Sequence, residues 1–373
     1  MTNSNKILDK VLNGERLSAE DGERLFESND IISLGRTAQE IARRKHPDGV
    51  VTYIVDRNIN YTNICISKCL FCAFYREKDS PDAYILPKEE LSKKIEETIR
   101  LGGVQILIQG GLNADLGIDF YEKLLHFIKS KFKIHIHGFS PPEIVHISKK
   151  SRLSIEDVIR RLKNAGLGSI PGGGAEILVD KIREKISPNK CTTQEWLNVM
   201  ETAHNLGLRT TATMMYGHIE SHRDRIEHLI KIRELQDKTK GFTAFIPWSF
   251  QSKNTKLQTL NSDPETTHET SSGQGSGQTL KSFGVDYLKT LSISRLMLDN
   301  FDNIQASWVT QGAKIAQLAL FFGANDMGST MIEENVVKAA GVSFRMSEGE
   351  IRRIIEDAGF KPAKRNTFYQ AVA

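Results

Sequence analysis

From residue 50 onward the chain alternates short β-rich runs with amphipathic helical segments eight times in series, an order that leaves few architectures open. The runs are VVTYIVD, VQILIQ, KIHIHGF, LGSIP, RTTATMMY, GFTAFIPW, NIQASW and LALFFGA. Between them lie segments with helical apolar spacing, among them PKEELSKKIEETIRLGG, DFYEKLLHFIKSKF, SIEDVIRRLKNAG, TQEWLNVMETAHNLG and HRDRIEHLIKIRELQDKT. Several open on a capping box, with Ser154 before Asp157, Thr192 before Glu195 and Ser221 before Asp224. Eight such units predict an α/β fold, a (β/α)8 TIM-type barrel rather than a doubly wound sheet. Polar or glycine-rich residues follow each run in phase: the cysteine cluster, QGG, HGFSPPE, PGGGAE, YGHIE, WSFQ, SWVTQG and GANDMGST. A barrel keeps its chemistry at that end of its strands.

A barrel of this kind needs roughly 250 residues, and the 373 present leave room at both ends. Residues 1–47 read as a helical preface, with a capping box at Ser18 and Asp21. The barrel is expected over 48–345 and a helical extension over 346–373. Residues 259–282, TLNSDPETTHETSSGQGSGQTLKS, hold almost no apolar side chains and predict a mobile polar insertion after the sixth strand.

A formal charge of +4 is small for this length and does not call for nucleic acid. The N-terminus lacks the apolar core of a secretory signal, and no apolar run nears the ~20 residues of a membrane span. The expectation is a cytoplasmic protein, where clustered thiols point to metal or redox chemistry rather than disulfides.

NICISKCLFCAFYR puts Cys65, Cys69 and Cys72 on one loop after the first strand. Three soft thiolates suit zinc or iron and sulfide. A structural zinc site takes four ligands; Cys191 reads as an isolated loop thiol, and a histidine is the other option. A cubane cluster on three cysteines leaves one iron open to a small molecule. The C-x3-C-x2-C spacing, with Phe71 before the last cysteine, resembles the radical S-adenosylmethionine superfamily. That resemblance implies a [4Fe-4S] cluster on Cys65, Cys69 and Cys72, with S-adenosyl-L-methionine on the open iron and Phe71 beside its adenine. It also assigns Gln109, Gly110 and Gly111 to the place of a GGE-like motif that contacts the methionine amine. The rival of a different class is a zinc or passive iron-sulfur binding protein.

The remaining loops offer donors and acceptors. Glu176 follows three glycines and is placed to bind ribose hydroxyls or an ammonium group. His135 and His137 share one strand face, with His137 nearer the mouth and His135 a barrel-interior residue. Ser140, His218, Asn325, Asp326, Ser329 and Thr330 complete the expected substrate contacts, helix capping being the competing role for Ser329 and Thr330.

QGGLNADLGIDFYEKLL, HIHGFSPPEI, IPGGGAEILVDKIREKISPNK, TTATMMYGHIES and FGANDMGSTMIEENVVKAAG resemble the branch of futalosine-pathway menaquinone enzymes and deazaflavin synthases. GFTAFIPWSFQ, NIQASWVTQG and CAFYR are most similar to the dehypoxanthine futalosine cyclases within it. The likeness runs from about residue 30 to 370, with 259–282 outside it. It implies hydrogen abstraction at ribose C4′ of dehypoxanthine futalosine, addition of the carbon radical to the benzoate ring, and loss of a proton and an electron. Glu176, His218 and Asp326 are the base candidates, and reduced flavodoxin or ferredoxin is the implied electron donor. Aminofutalosine synthase and deazaflavin synthase are the alternatives within the branch.

Overall fold

Ten strands carry the architecture: β1 Val50–Ile54, β2 Asp56–Asn60, β3 Gln105–Gln109, β4 His135–Gly138, β5 Ser169–Ile170, β6 Arg209–Tyr216, β7 Phe242–Ser249, β8 Asn303–Ile304, β9 Asp326–Ser329 and β10 Lys361–Lys364. They are seen in a computed structural model that describes residues 3–257, 283–342 and 344–372. The expected insertion at 259–282 lies outside the described residues. Strands β2 to β8 form one parallel sheet in sequence order, and β10, β1 and β9 form a second.

The two sheets make one wall. A single residue, Val55, separates β1 from β2, so they act as one bent strand that pairs β9 and β10 below and β3 above. On the other side Gln305 bridges Asp326, and Ala306 N–H donates to Asp326 O at 2.8 Å. With β1 and β2 counted together, eight strands ring the barrel, and β10 fills its lower edge beside β1. The helices at Lys88–Arg100, Ile118–Lys131, Ile155–Ala165, Thr193–Asn205 and His222–Thr239 fall where the apolar spacing predicts them. The boxes at Thr192 and Ser221 are complete, whereas Ser154 supplies only the cap to Asp157 N–H. The preface forms three helices, Asn3–Leu12, Ala19–Glu27 and Ile31–Lys45.

Strand alternation divides core from cavity. Ile59, Ile106, Ile108, Ile136, Ala212 and Met214 are buried in the apolar core, while Asp56, Asn58, Asn60, Gln105, Leu107, Gln109, Thr211 and Thr213 line the barrel interior.

Three sequence expectations change. LALFFGA is not the eighth strand: it ends the helix Trp308–Ala319 and the turn after it, and DMGS forms β9 instead. Ala319 and Leu320 are buried together with Ala316 of the same helix, at helical spacing, which a short apolar run does not distinguish from a strand. MIEENVVKAAG is helical only at Val336–Ala339, so neither Ser329 nor Thr330 caps it. The extension at 346–373 contributes one helix, Glu348–Asp357, and then β10, whose following residues enter the barrel floor. Among the described residues no helix is long and apolar enough to cross a membrane.

Candidate active site

The loop after β2 is shaped to present sulfur. Arg76 Nη1 donates to the carbonyls of Ala73, Phe74 and Tyr75 at 3.1, 3.2 and 2.9 Å. Peptide planarity sends the N–H groups of Phe74 and Tyr75 the other way, and both bond the Cys72 thiol. Leu112 N–H reaches Cys65 Sγ at 3.2 Å, and Ser67 Oγ lies 3.1 Å from Cys69 Sγ. Burial pushes Cys69 up to about 11 and raises Cys72, so taking up a metal would release protons. Each sulfur already has a hydrogen-bonding neighbour and all three line one cavity, which fits a cluster held by thiolates. Cys191 does not line that cavity; it is buried, with its carbonyl bonded by Arg183.

The QGG turn packs onto this loop. A Cβ at Gly111 would come within 2.2 Å of Ile64 O and 2.8 Å of Cys65 Cβ, and one at Gly110 would strike the Tyr61 ring at 2.6 Å. Glycine here brings the end of β3 against the cysteines. The turn has no acid of its own, but Glu143 supplies one from the helix Pro141–Ser151. Its Oε1 accepts from Tyr61 hydroxyl at 2.7 Å and Gly110 N–H at 3.0 Å, and its Oε2 from Ser140 N–H and Oγ at 2.8 and 2.6 Å. Burial raises Glu143 to about 7 against these donors. Sequence reasoning named Ser140 and passed over Glu143, although S-P-P-E is a capping box.

A buried ion pair stands beside the loop. Lys190 Nζ donates to Glu176 Oε1 and lies 5.2 Å from the Phe71 ring centroid. Burial lowers the lysine, but Glu176 and Cys69 outweigh it and hold Lys190 above its ordinary value. Glu176 has φ 43°, a left-handed conformation uncommon outside glycine. Lys190 carried no local signal in the sequence.

The floor has other chemistry. Ser329 Oγ and Gln105 Nε2 both donate to Asp56, and Thr367 Oγ1 donates to Gln105 Oε1. Burial raises Asp56 above the usual carboxylate range. His135 Nε2 and His137 Nδ1 lie 2.8 and 2.6 Å from the same Ser169 Oγ. Burial drives them down to about 4 and about 3, which keeps both rings neutral at physiological pH.

Of the residues expected from sequence, Cys65, Cys69, Cys72, Phe71, Gln109, Gly110, Gly111, His137, Ser140, Glu176 and Ser329 share this cavity of about 400 Å³. Four do not line it. The turn at Gly217, with φ 87°, carries His218 away to Glu220 at 3.1 Å, and Glu220 in turn bonds Arg225 at 2.9 Å. Asn325 is spent on Arg295, Ile304 N–H and Asn303. Asp326 lies behind the wall, held by Arg365 and Thr52. Thr330 is buried outside the cavity, and its N–H donates to Ile54 O. Three of these corrections share a cause: β9 spans Asp326–Ser329, so Asn325, Asp326 and Thr330 lie in that strand or at its ends rather than on a loop beyond the eighth strand.

Comparisons with known proteins agree with this geometry. Residues 59–232 match the radical SAM superfamily, and residues 239–373 match the CofH/MqnC C-terminal region. The chain is 45% identical to cyclic dehypoxanthine futalosine synthase of Halalkalibacterium halodurans, covering 98% of this chain and 94% of the other. It is 44% identical to the 5-amino-6-(D-ribitylamino)uracil--L-tyrosine 4-hydroxyphenyl transferase of Archaeoglobus fulgidus, covering 90% and 92%. Crystalline methylornithine synthase shares the fold, with a TM-score of 0.68 and 18% identity over 96% of this chain and 97% of the other.

Proposed function

The chain belongs to the radical S-adenosylmethionine superfamily, in the branch carrying the CofH/MqnC C-terminal region, and on that premise we propose that it cyclises dehypoxanthine futalosine. It is an enzyme that works with a [4Fe-4S] cluster and S-adenosylmethionine, the cofactors of that superfamily. Identities of 45% and 44% to relatives with different named reactions do not choose between them. One observation supports the choice: the segments most similar to the cyclases are among those that wall the cavity. GFTAFIPWSFQ contributes Ile246 and Trp248, NIQASWVTQG contributes Gln305 to Thr310, and CAFYR contributes Cys72, Phe74 and Tyr75.

When bound, the cluster and S-adenosylmethionine would supply the 5′-deoxyadenosyl radical that takes hydrogen from ribose C4′ and leaves as 5′-deoxyadenosine; the substrate carbon radical would add to the benzoate ring, which regains aromaticity by losing one proton to a base and one electron to the cluster. Cys65, Cys69 and Cys72 hold the cluster, and Phe71 offers a flat face for adenine. Gln109, Gly110 and Gly111 bring backbone close to the methionine moiety, with Glu143 fixing the Gly110 amide. Lys190 and Glu176 provide one charge of each sign beside them. Ile54, Leu107 and Trp248 keep water from the substrate radical. His137, Ser140 and Ser329 are substrate contacts, and Glu176 is the one of the three base candidates that faces the cavity. A low-potential donor such as reduced flavodoxin or ferredoxin delivers the electron.

The test is anaerobic incubation of the reconstituted, reduced enzyme with S-adenosylmethionine and, in separate reactions, dehypoxanthine futalosine, an enolpyruvyl benzoate, or tyrosine with 5-amino-6-(D-ribitylamino)uracil. Free 5′-deoxyadenosine together with a cyclised product is expected. Incorporation of the adenosyl group into an enolpyruvyl benzoate, or hydroxyphenyl transfer from tyrosine without cyclisation, overturns the assignment.

A further inference from the structure

Among the described residues, the cavity lining holds two cationic side chains, Lys190 near the cysteines and Arg365 on the floor. The two are not alike. Lys190 is engaged by Glu176 and faces Phe71 and Cys69. Arg365 is carried in by the segment after β10, and its guanidinium meets Asp326 along one edge, Nε at 2.6 Å and Nη2 at 2.9 Å. Nη1 gives one further bond, to Asn366 O at 3.1 Å.

A guanidinium has five N–H groups. Three are used, and nothing among the described residues takes the other two, although the residue is 5% exposed. Unpaired buried donors carry a desolvation cost that a ligand acceptor in the cavity would remove. The Tyr369 ring, centred 3.9 Å from the guanidinium carbon, fixes the plane of the fork. Asp326 does not depend on the cation alone, since it also accepts from Thr52 Oγ1 at 2.6 Å and Gly328 N–H at 2.8 Å.

The surroundings suit an aromatic acid. Thr367, Gln105, Ser329 and His137 are neutral hydrogen-bonding groups that line the cavity with Arg365, and Ile54, Leu107 and Trp248 are apolar walls of the same cavity. Asp56, the nearby carboxyl group, is already engaged by Ser329 and Gln105 and makes no hydrogen bond to Arg365 among the described residues.

We propose that the cavity floor is a carboxylate subsite, in which Arg365 binds the carboxylate of an aromatic acid and sets which end of the substrate points away from the cysteines. The inference rests on the cyclase reading in identifying that acid with the substrate benzoate.

Binding and turnover separate the two ideas. Affinities of dehypoxanthine futalosine and its benzamide analogue are measured by calorimetry on unreduced, cluster-loaded enzyme with S-adenosylmethionine present. Wild type is expected to prefer the acid by at least about 30-fold, as for a charge-assisted hydrogen bond. Arg365→Gln, checked for an intact cluster spectrum and cooperative melt, falls to within about threefold. Asp326→Asn breaks the same ion pair but leaves the fork in place, so it keeps at least about tenfold preference. Should Arg365→Gln not fold, Arg365→Lys takes its place and is expected to lose most of the preference, because an ammonium lacks the fork.

An acid preference retained in Arg365→Gln or in its Lys replacement overturns the subsite. So does its equal loss in Asp326→Asn, which would make the pair purely structural. A wild type that prefers the acid but forms no cyclised product on reduction overturns the reaction and leaves the subsite standing.

Discussion

The two ends of the cavity are each braced by a buried ion pair, yet the pairs are built differently. At the cysteine end, Glu176 and Lys190 are 14 residues apart on one excursion, and Lys190 is the one hydrogen-bond partner of the Glu176 side chain among the described residues. At the floor, Asp326 and Arg365 are 39 residues apart, and Asp326 keeps two further donors. A point charge on a flexible stem suits an end where charge must follow a cluster and its ligand, whereas a planar fork suits an end where orientation matters. The first pair stands or falls with its lysine; the second shares its load.

The widest gap between the ends is chemical. Substituting Ala for Cys65, Cys69 or Cys72 removes one of the three proposed cluster ligands, for which a loss of activity above about 100-fold is expected, more than the loss of a group that only hydrogen-bonds a ligand. Iron and sulfide analysis after anaerobic reconstitution checks it, and stoichiometric zinc in place of iron would break the assignment of that end.

Next in size are the pairs themselves. Lys190→Met leaves Glu176 charged in a dry site, at a cost of about 3–5 kcal/mol. Arg365→Met is expected to cost less, about 2–3 kcal/mol, because Asp326 retains Thr52 and Gly328. Denaturant midpoints of the apoproteins measure both. The double variant Lys190→Met, Glu176→Leu should recover most of the first loss, and equal costs at the two ends would erase the distinction.

The ends also answer pH with opposite sign. Glu143, at about 7 when folded against a usual 4.5, binds its proton more tightly in the folded state. Its contribution is therefore whole below pH 4.5 and lost as pH rises through about 7. Wild type should lose about 3 kcal/mol relative to Glu143→Gln across that window. His137 on the floor, held down to about 3, contributes above pH 6.5 and loses that contribution as pH falls. Stability measured from pH 4 to 8 in both backgrounds shows whether the two limbs separate.

The same contrast explains what could be read from the chain. The cysteine end was legible because its three thiols sit at fixed local spacing, and the barrel because its periodicities repeat. The floor was not. The first strand run ends at Asp56 and does not extend through RNIN, because Asn58 and Asn60 point into a polar interior, where strand alternation runs opposite to the usual assignment of polar side chains to solvent. Glu143 was visible as half of a capping box, but its contact with Gly110 joins two separate loops. Arg365 follows a C-terminal strand that composition alone presented as the end of a helical extension. Contacts made across 33 or 39 residues leave no local pattern.

The smallest expected effect bears on whether the floor is rigid. Ser169 Oγ meets both His135 and His137, and a hydroxyl has one proton, so it can donate to only one of the two rings. The other ring must donate to it, which couples the tautomers of two histidines through one oxygen. Ser169→Ala removes that coupling and leaves a nitrogen of the buried His137 and one of the half-buried His135 short of a partner. The cost expected is about 1–2 kcal/mol, below that of either ion pair. Nitrogen-15 imidazole spectra should show one dominant tautomer for His137 in wild type and a mixture in Ser169→Ala. An unchanged tautomer would mean that other groups on the floor, rather than Ser169, orient the ring.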